Sequence, residues 1–191
     1  MYELPIQIEI DGVKYNIRNN GDYRMVLDAF SVLNDEELNQ QERVLASLLI
    51  FYEDMTCLED VLAISDLEKA TEKMFEFFNA GRPETSGPSR KLIDWDEDSA
   101  MISSAINKVS GQEIRSVEYM HWWTFMGYFN AIGESTLSTV VSIRDKILKD
   151  KKLEKWERDF RNENPQYFIW NHKTVEDKEA ESWLKDVWNK E

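Results

Sequence analysis

Ten of the sixteen residues at 117–132 are large and apolar, and this crowding constrains the fold more than any other stretch of the chain. With its flanks the segment reads SVEYMHWWTFMGYFNAIG. At about 100° per residue such side chains surround a helix instead of forming one stripe. The spacing therefore predicts a helix that is either central in a bundle or shared between its own core and another chain. Trp, Tyr and Met are enriched at contact hot spots, where a rigid ring fills a partner's pocket. On crowding alone, Trp122, Phe125, Tyr128 and Phe129 are the candidate partner-binding residues, with Trp123 expected in the core.

A helix of that kind needs neighbours, and 191 residues are enough to bury a substantial core without staples. IQIEIDGVKYNI alternates apolar and polar residues on both sides of Asp11-Gly12, a pair suited to the type I′ turn of a two-residue hairpin. Ile6, Ile8 and Ile10 should face Ile17, Tyr15 and Val13. That ribbon must lie on something, because two strands alone are marginal in water. Helices are expected at 22–33 with Asp22 as cap, from an Asn34-to-Glu37 capping box to near Asp54, and from Ser65 to a glycine stop at Gly81.

GRPETSGPS then interrupts the pattern as the one flexible linker in the sequence. Beyond it Asp94 should cap a helix, with Glu97 at the box position, that Gly111 ends. The aromatic helix follows, and further helices are expected at 138–145, 147–163 and 175–188. The expected class is mainly α, a helical bundle with a small N-terminal β-hairpin. Its expected organisation is a hairpin plus helices at 1–80, a linker at 81–93 and a C-terminal helical region at 94–191.

Net charge is −14, and it is uneven: residues 1–100 carry 22 acids against 9 bases, while 101–191 carry 15 against 14. Such a field repels phosphate backbones and anionic membranes, so neither nucleic acid nor membrane is an expected partner. A basic partner or a solubilising role fits the same charge. The N-terminus MYELPIQIEIDG has no basic leader followed by an apolar run, and no stretch of about 18 apolar residues occurs, so a soluble, unexported protein is expected. Cys57 is a lone cysteine that cannot form an intramolecular disulfide, which fits a reducing cytosol.

Chemistry has little to stand on. Glu118 and His121 have the E-x-x-H spacing of di-iron bundles, but His172 has Ile169 where the second glutamate belongs. Asp94-x-Asp96-x-Asp98 imitates a calcium loop, yet Ser99 stands at the glycine position and Ala105 at the bidentate glutamate. No GxSxG and no phosphate-cradling glycine loop is present. The basic run from Lys146 to Lys155 beside Trp156 also carries acids, as a solvated helix face does. The residues thus point to no cofactor, no metal and no enzyme, with a site dispersed along the chain as the remaining enzymatic alternative.

One combination of motifs is more specific. LP-x-x-I-x-I-x-G-x-x-Y-x-I at Leu4-Pro5, Gly12, Tyr15 and Ile17 is followed by Asp22-Tyr23-Arg24, the acidic run from Asp94 to Asp98, His121-Trp122-Trp123 with Phe125, and Ile143-Arg144. Together these residues resemble the gene-product-fifteen family of siphophages and prophages of Gram-positive bacteria. The likeness spans about residues 3–160, with HWW-x-F its most specific part. Two positions depart from the family's long apolar helix, Thr124 and Gly127.

The resemblance implies a role in tail morphogenesis. Its expected form is a tail assembly chaperone that binds the tape measure protein and keeps it soluble until tail-tube subunits displace it. The implied partners are the tape measure protein, the major tail protein and further copies of the chain itself. The implied location is the host cytoplasm, with the protein absent from the mature virion. A structural or adaptor component that stays in the tail is the alternative within the binding class.

Overall fold

The computed structural model describes residues 3–82 and 92–169. Strands β1 (Gln7–Ile10) and β2 (Val13–Asn16) form an antiparallel hairpin in the expected register, Ile8 opposite Tyr15 and Ile10 opposite Val13. The Ile17 N–H donates to the Ile6 carbonyl (2.9 Å), which continues the pairing. Asp11 and Gly12 both take positive φ, +51° and +82°, as a type I′ turn requires. The hairpin rests on α4 (Leu67–Phe78), with Ile8 and Ile10 buried and the Asp11 carboxylate paired to Lys69.

α1 (Tyr23–Leu33) begins where expected, because the Asp22 carboxylate accepts the Arg24 N–H (2.9 Å). α2 (Gln40–Phe51) starts later than the Asn34-to-Glu37 box predicts. Asn34 is engaged elsewhere, since its backbone N–H and its side-chain amide both donate to the Phe30 carbonyl and close α1. The box forms five residues on: Glu42 N–H donates to Asn39 (3.0 Å), and Asn39 N–H donates to Glu42 (2.8 Å). A short α3 (Leu58–Leu62) that the periodicity does not predict precedes α4, which Asp66 caps through the Lys69 N–H (2.9 Å).

Arg18 fixes the far end of α2. Its guanidinium donates to the carbonyls of Leu49, Ile50, Tyr52 and Met55 at 2.9–3.1 Å, so a cation sits where the helix leaves its acceptors unpaired. Tyr52 ties the same corner together, pairing with Ile17 and donating its hydroxyl to the Ala70 carbonyl (2.9 Å).

After residue 92, Asp94 accepts the N–H groups of Asp96 and Glu97 (3.0 Å each) and so caps a turn one step ahead of the helix. α5 (Ser99–Ser110) itself starts after Asp98 and stops at Gly111, as expected. α6 (Trp122–Asn130) and α7 (Thr136–Leu148) follow, then α8 (Lys155–Glu163). The helix expected across 147–163 is divided because Asp150 turns to φ +51° after α7, while Glu154 and Glu157 form a fresh capping box.

By compactness the chain divides into Met1–Val141 and Ser142–Glu191, a division that falls inside α7. In the first unit, residues on both sides of the expected linker contribute to one core, Phe51, Phe77 and Phe78 from before it and Ile106, Trp122 and Phe125 from after it. Of that linker, residues 83–91 lie outside the described residues. In the second unit, Lys146 donates to buried Glu157 (2.5 Å), which holds the carboxyl below its usual range, and Arg144 donates to the Tyr167 carbonyl (3.0 Å). The helix expected at 175–188 lies outside the described residues.

Candidate functional site

The aromatic segment is only half a helix. Residues Ile114–Ser116 make one 3-10 turn, 117–121 are non-helical with a bend at Glu118, and helical geometry begins at Trp122. The cause lies about a hundred residues earlier in the chain. Tyr23 N–H donates to the Met120 carbonyl (2.9 Å), Met120 N–H donates to the Asp22 carboxylate (3.0 Å), and Asp22 pairs with His121 in an antiparallel bridge. Arg24 is held by Asp22 (3.1 Å) and donates to the Val117 carbonyl, while the Tyr23 hydroxyl donates to that of Ile114 (3.3 Å). Asp22-Tyr23-Arg24 therefore satisfies the Ile114 and Val117 carbonyls and both backbone polar groups of Met120, which a continuous helix would have paired locally.

His121 joins the two motifs. Its Nδ1 accepts the Trp123 N–H (3.0 Å), which makes it the cap of α6, so the neutral ring carries its proton on Nε2 and donates to the Pro5 carbonyl (3.0 Å). Burial lowers its pKa below the ordinary 6.5, against smaller opposing effects from the Pro5 bond and Asp22. Gly21, at φ +76°, has no room for a side chain: a Cβ there would lie 2.8 Å from Phe77 and 3.0 Å from His121 Nε2. Glu118, the other half of the E-x-x-H spacing, is exposed, and among the described residues no cluster of His, Cys, Asp and Glu could hold a metal ion.

The tryptophan pair closes a different helix. Trp122 Nε1 donates to the Phe78 carbonyl (2.8 Å) and Trp123 Nε1 to that of Phe77 (3.0 Å), both at the C-terminal end of α4 where helical acceptors run out. Trp122 then stacks on Phe125 (5.4 Å between centroids) and meets Phe30 and Trp95 edge-on, while Phe125 stacks on Tyr23 (4.6 Å).

The structure sets the four candidate contact residues in different surroundings. Trp122 and Phe125 are interior, each 1% exposed, because the cap at His121 fixes the helical phase that points them inward. Trp123 is half-buried rather than central, and Tyr128 and Phe129 pack against the core with Phe129 beside Trp95 (5.2 Å). The solvent side of α6 is Thr124, Gly127 and Asn130. Thr124 and Gly127, the two departures from an all-apolar helix, are thus its water-facing positions.

An open groove with a partly apolar lining lies elsewhere, between α2 and α4. A groove of about 1330 Å³ has Val44 and Leu45 on one wall, Leu67, Thr71 and Phe75 on the other, and Arg82 at its end. Glu68, Glu72 and Glu76 edge it at four-residue spacing along α4, and Gln40 and Gln41 edge α2. None of these residues stands out for binding in the sequence, because among them only Phe75 is aromatic. The recurrence of glutamate every fourth residue on a helix with an apolar stripe was the available signal.

A firmly locked core carrying an acidic-edged groove, with no span long and apolar enough to cross a membrane among the described helices, defines a mainly helical body with an open groove on it. Residues 1–167 match the family model described as "Bacteriophage Gp15 protein". The chain belongs to that bacteriophage family. No curated protein and no solved structure matches it.

Proposed function

We propose that this phage protein is a tail assembly chaperone that binds helical stretches of the tape measure protein and keeps them soluble during tail-tube assembly. The observation that carries this reading is the open apolar groove on the acidic half of a member of this family. A chaperone must cover apolar helix faces reversibly, and helix-in-groove contact does so while leaving the client's polar side in water. High net negative charge keeps the loaded complex dispersed.

In this reading the protein is non-catalytic, works in the host cytoplasm and leaves before the virion is complete. Major tail protein subunits displace it, and copies side by side cover a long client. Co-expression tests the proposal: tape measure fragments that precipitate alone should stay soluble and co-purify with this chain, and mass spectrometry of mature particles should not find it. Fragments that stay insoluble with the chain present contradict the proposal. Persistence in particles favours a structural tail component instead.

A further inference from the structure

We infer that the α2/α4 groove takes an amphipathic helix whose flank beside α4 carries lysine or arginine. The inference deepens the chaperone reading and rests on it for the client's identity, although the groove's preference is testable without that client. Three features of the groove carry it.

Size comes first. At about 1330 Å³ the groove exceeds the several hundred to about 1,000 Å³ common for small-molecule pockets, and it runs along α4, whose 12 residues extend about 18 Å. That length matches about three turns of a docked helix. Its chemistry is divided lengthwise: Val44, Leu45, Leu67 and Phe75 give an apolar floor, while the α4 edge is a line of carboxylates. An apolar stripe with a polar flank is the shape of an amphipathic helix.

Charge selects the flank. Glu76 is already met by Lys73 (2.7 Å), but neither Glu68 nor Glu72 pairs with a cation among the described residues. The neighbouring lysine on α4, Lys69, is committed to Asp11 at the hairpin turn. Two exposed carboxylates one helical turn apart, neither in a salt bridge among the described residues, thus face whatever enters, with Arg82 at the far end as the one cation among the described lining residues. Lysines or arginines one turn apart on an incoming helix complement that rail, while a glutamate flank meets like charge.

The test uses the full-length chain and two synthetic helical peptides of equal length with the same leucine stripe, one flanked by lysine and one by glutamate. Fluorescence polarisation should show the lysine peptide binding at least about tenfold more tightly, with affinity falling as salt rises. In the Glu68→Lys/Glu72→Lys variant that order should reverse. These positions are exposed, so the variant is expected to fold, and circular dichroism with thermal melting checks that it does. Equal binding of both peptides, or an order unchanged in the folded variant, overturns the inference.

Tape measure fragments separate this result from the chaperone reading. If wild type solubilises them and the folded variant does so equally well, the groove assignment fails and the function stands. If the peptides obey the groove's charge rule but wild type ignores the fragments, the groove stands and the named client fails.

Discussion

α6 with its non-helical approach and the groove between α2 and α4 offer two answers to where a protein of this kind touches another. The first holds the densest aromatic run in the chain, yet Trp122 and Phe125 are enclosed and the solvent positions of α6 itself are Thr124, Gly127 and Asn130. The second is built from ordinary amphipathic helices and leaves Val44, Leu45 and Phe75 only partly covered. Apolar density measures how much a segment must bury; openness depends on what the rest of the chain has already placed over it. Here Phe30, Trp95 and Tyr23 cover α6, while the groove has no comparable cover among the described residues.

The contrast breaks most readily at Trp122. Its replacement by Ala removes a fully enclosed ring and its bond to Phe78, and should cost about 3–5 kcal/mol in denaturant unfolding. A near-neutral melt with lost client binding would return α6 to the surface. Arg18→Ala comes next, with an expected loss of about 1.5–3 kcal/mol, because four carbonyls around the end of α2 lose one cationic donor and that wall of the groove loosens. Chemical denaturation of the variant measures it.

Acid probes the same lock from within. His121 has a folded pKa below 6.5, so its contribution is complete above pH 6.5 and is lost as pH falls through the lower folded value. Protonation also converts the Nδ1 acceptor of the Trp123 N–H into a donor. Stability should therefore fall below pH 6.5 by up to about 1.4 kcal/mol per pH unit for this one proton. His121→Asn keeps an N-cap oxygen and should flatten the decline between pH 6.5 and 5; an unchanged slope would assign it to other groups. Smallest of all should be the effect on stability of Glu68→Lys with Glu72→Lys, within about 0.5 kcal/mol by thermal melting, because both are exposed on α4.

Local signals carried much of the architecture. The hairpin register follows from alternation around Asp11-Gly12, and Asp22 and Gly111 bound their helices where capping chemistry puts them. Failures came where a remote or competing partner took over. Asn34 carries the signal for the start of α2 but is used to close α1, and 117–121 carry helical periodicity yet are held out of a helix by Asp22 and Tyr23. Periodicity reports which side chains are apolar. It does not report that a carboxylate 98 positions away will take a backbone N–H.

The same limit explains the contact residues. Crowding alone marks Trp122 and Phe125 as candidates, and a segment so crowded has to bury its largest side chains somewhere, here these two. Asp22-Tyr23-Arg24 and His121-Trp122-Trp123 lie far apart in the sequence, whereas in space they form one lock that also closes α4. That lock fixes the end of one wall of the groove, so the most specific motifs of the chain shape the candidate surface without lining it.

Site-specific photo-crosslinking compares the two surfaces directly. A benzophenone side chain is placed at Thr71, in the groove, or at Thr124, on the solvent face of α6, and each full-length protein is co-expressed with a soluble-tagged tape measure fragment. The account predicts strong capture of the fragment from position 71 and little from position 124. Capture from position 124 with none from position 71 would contradict it.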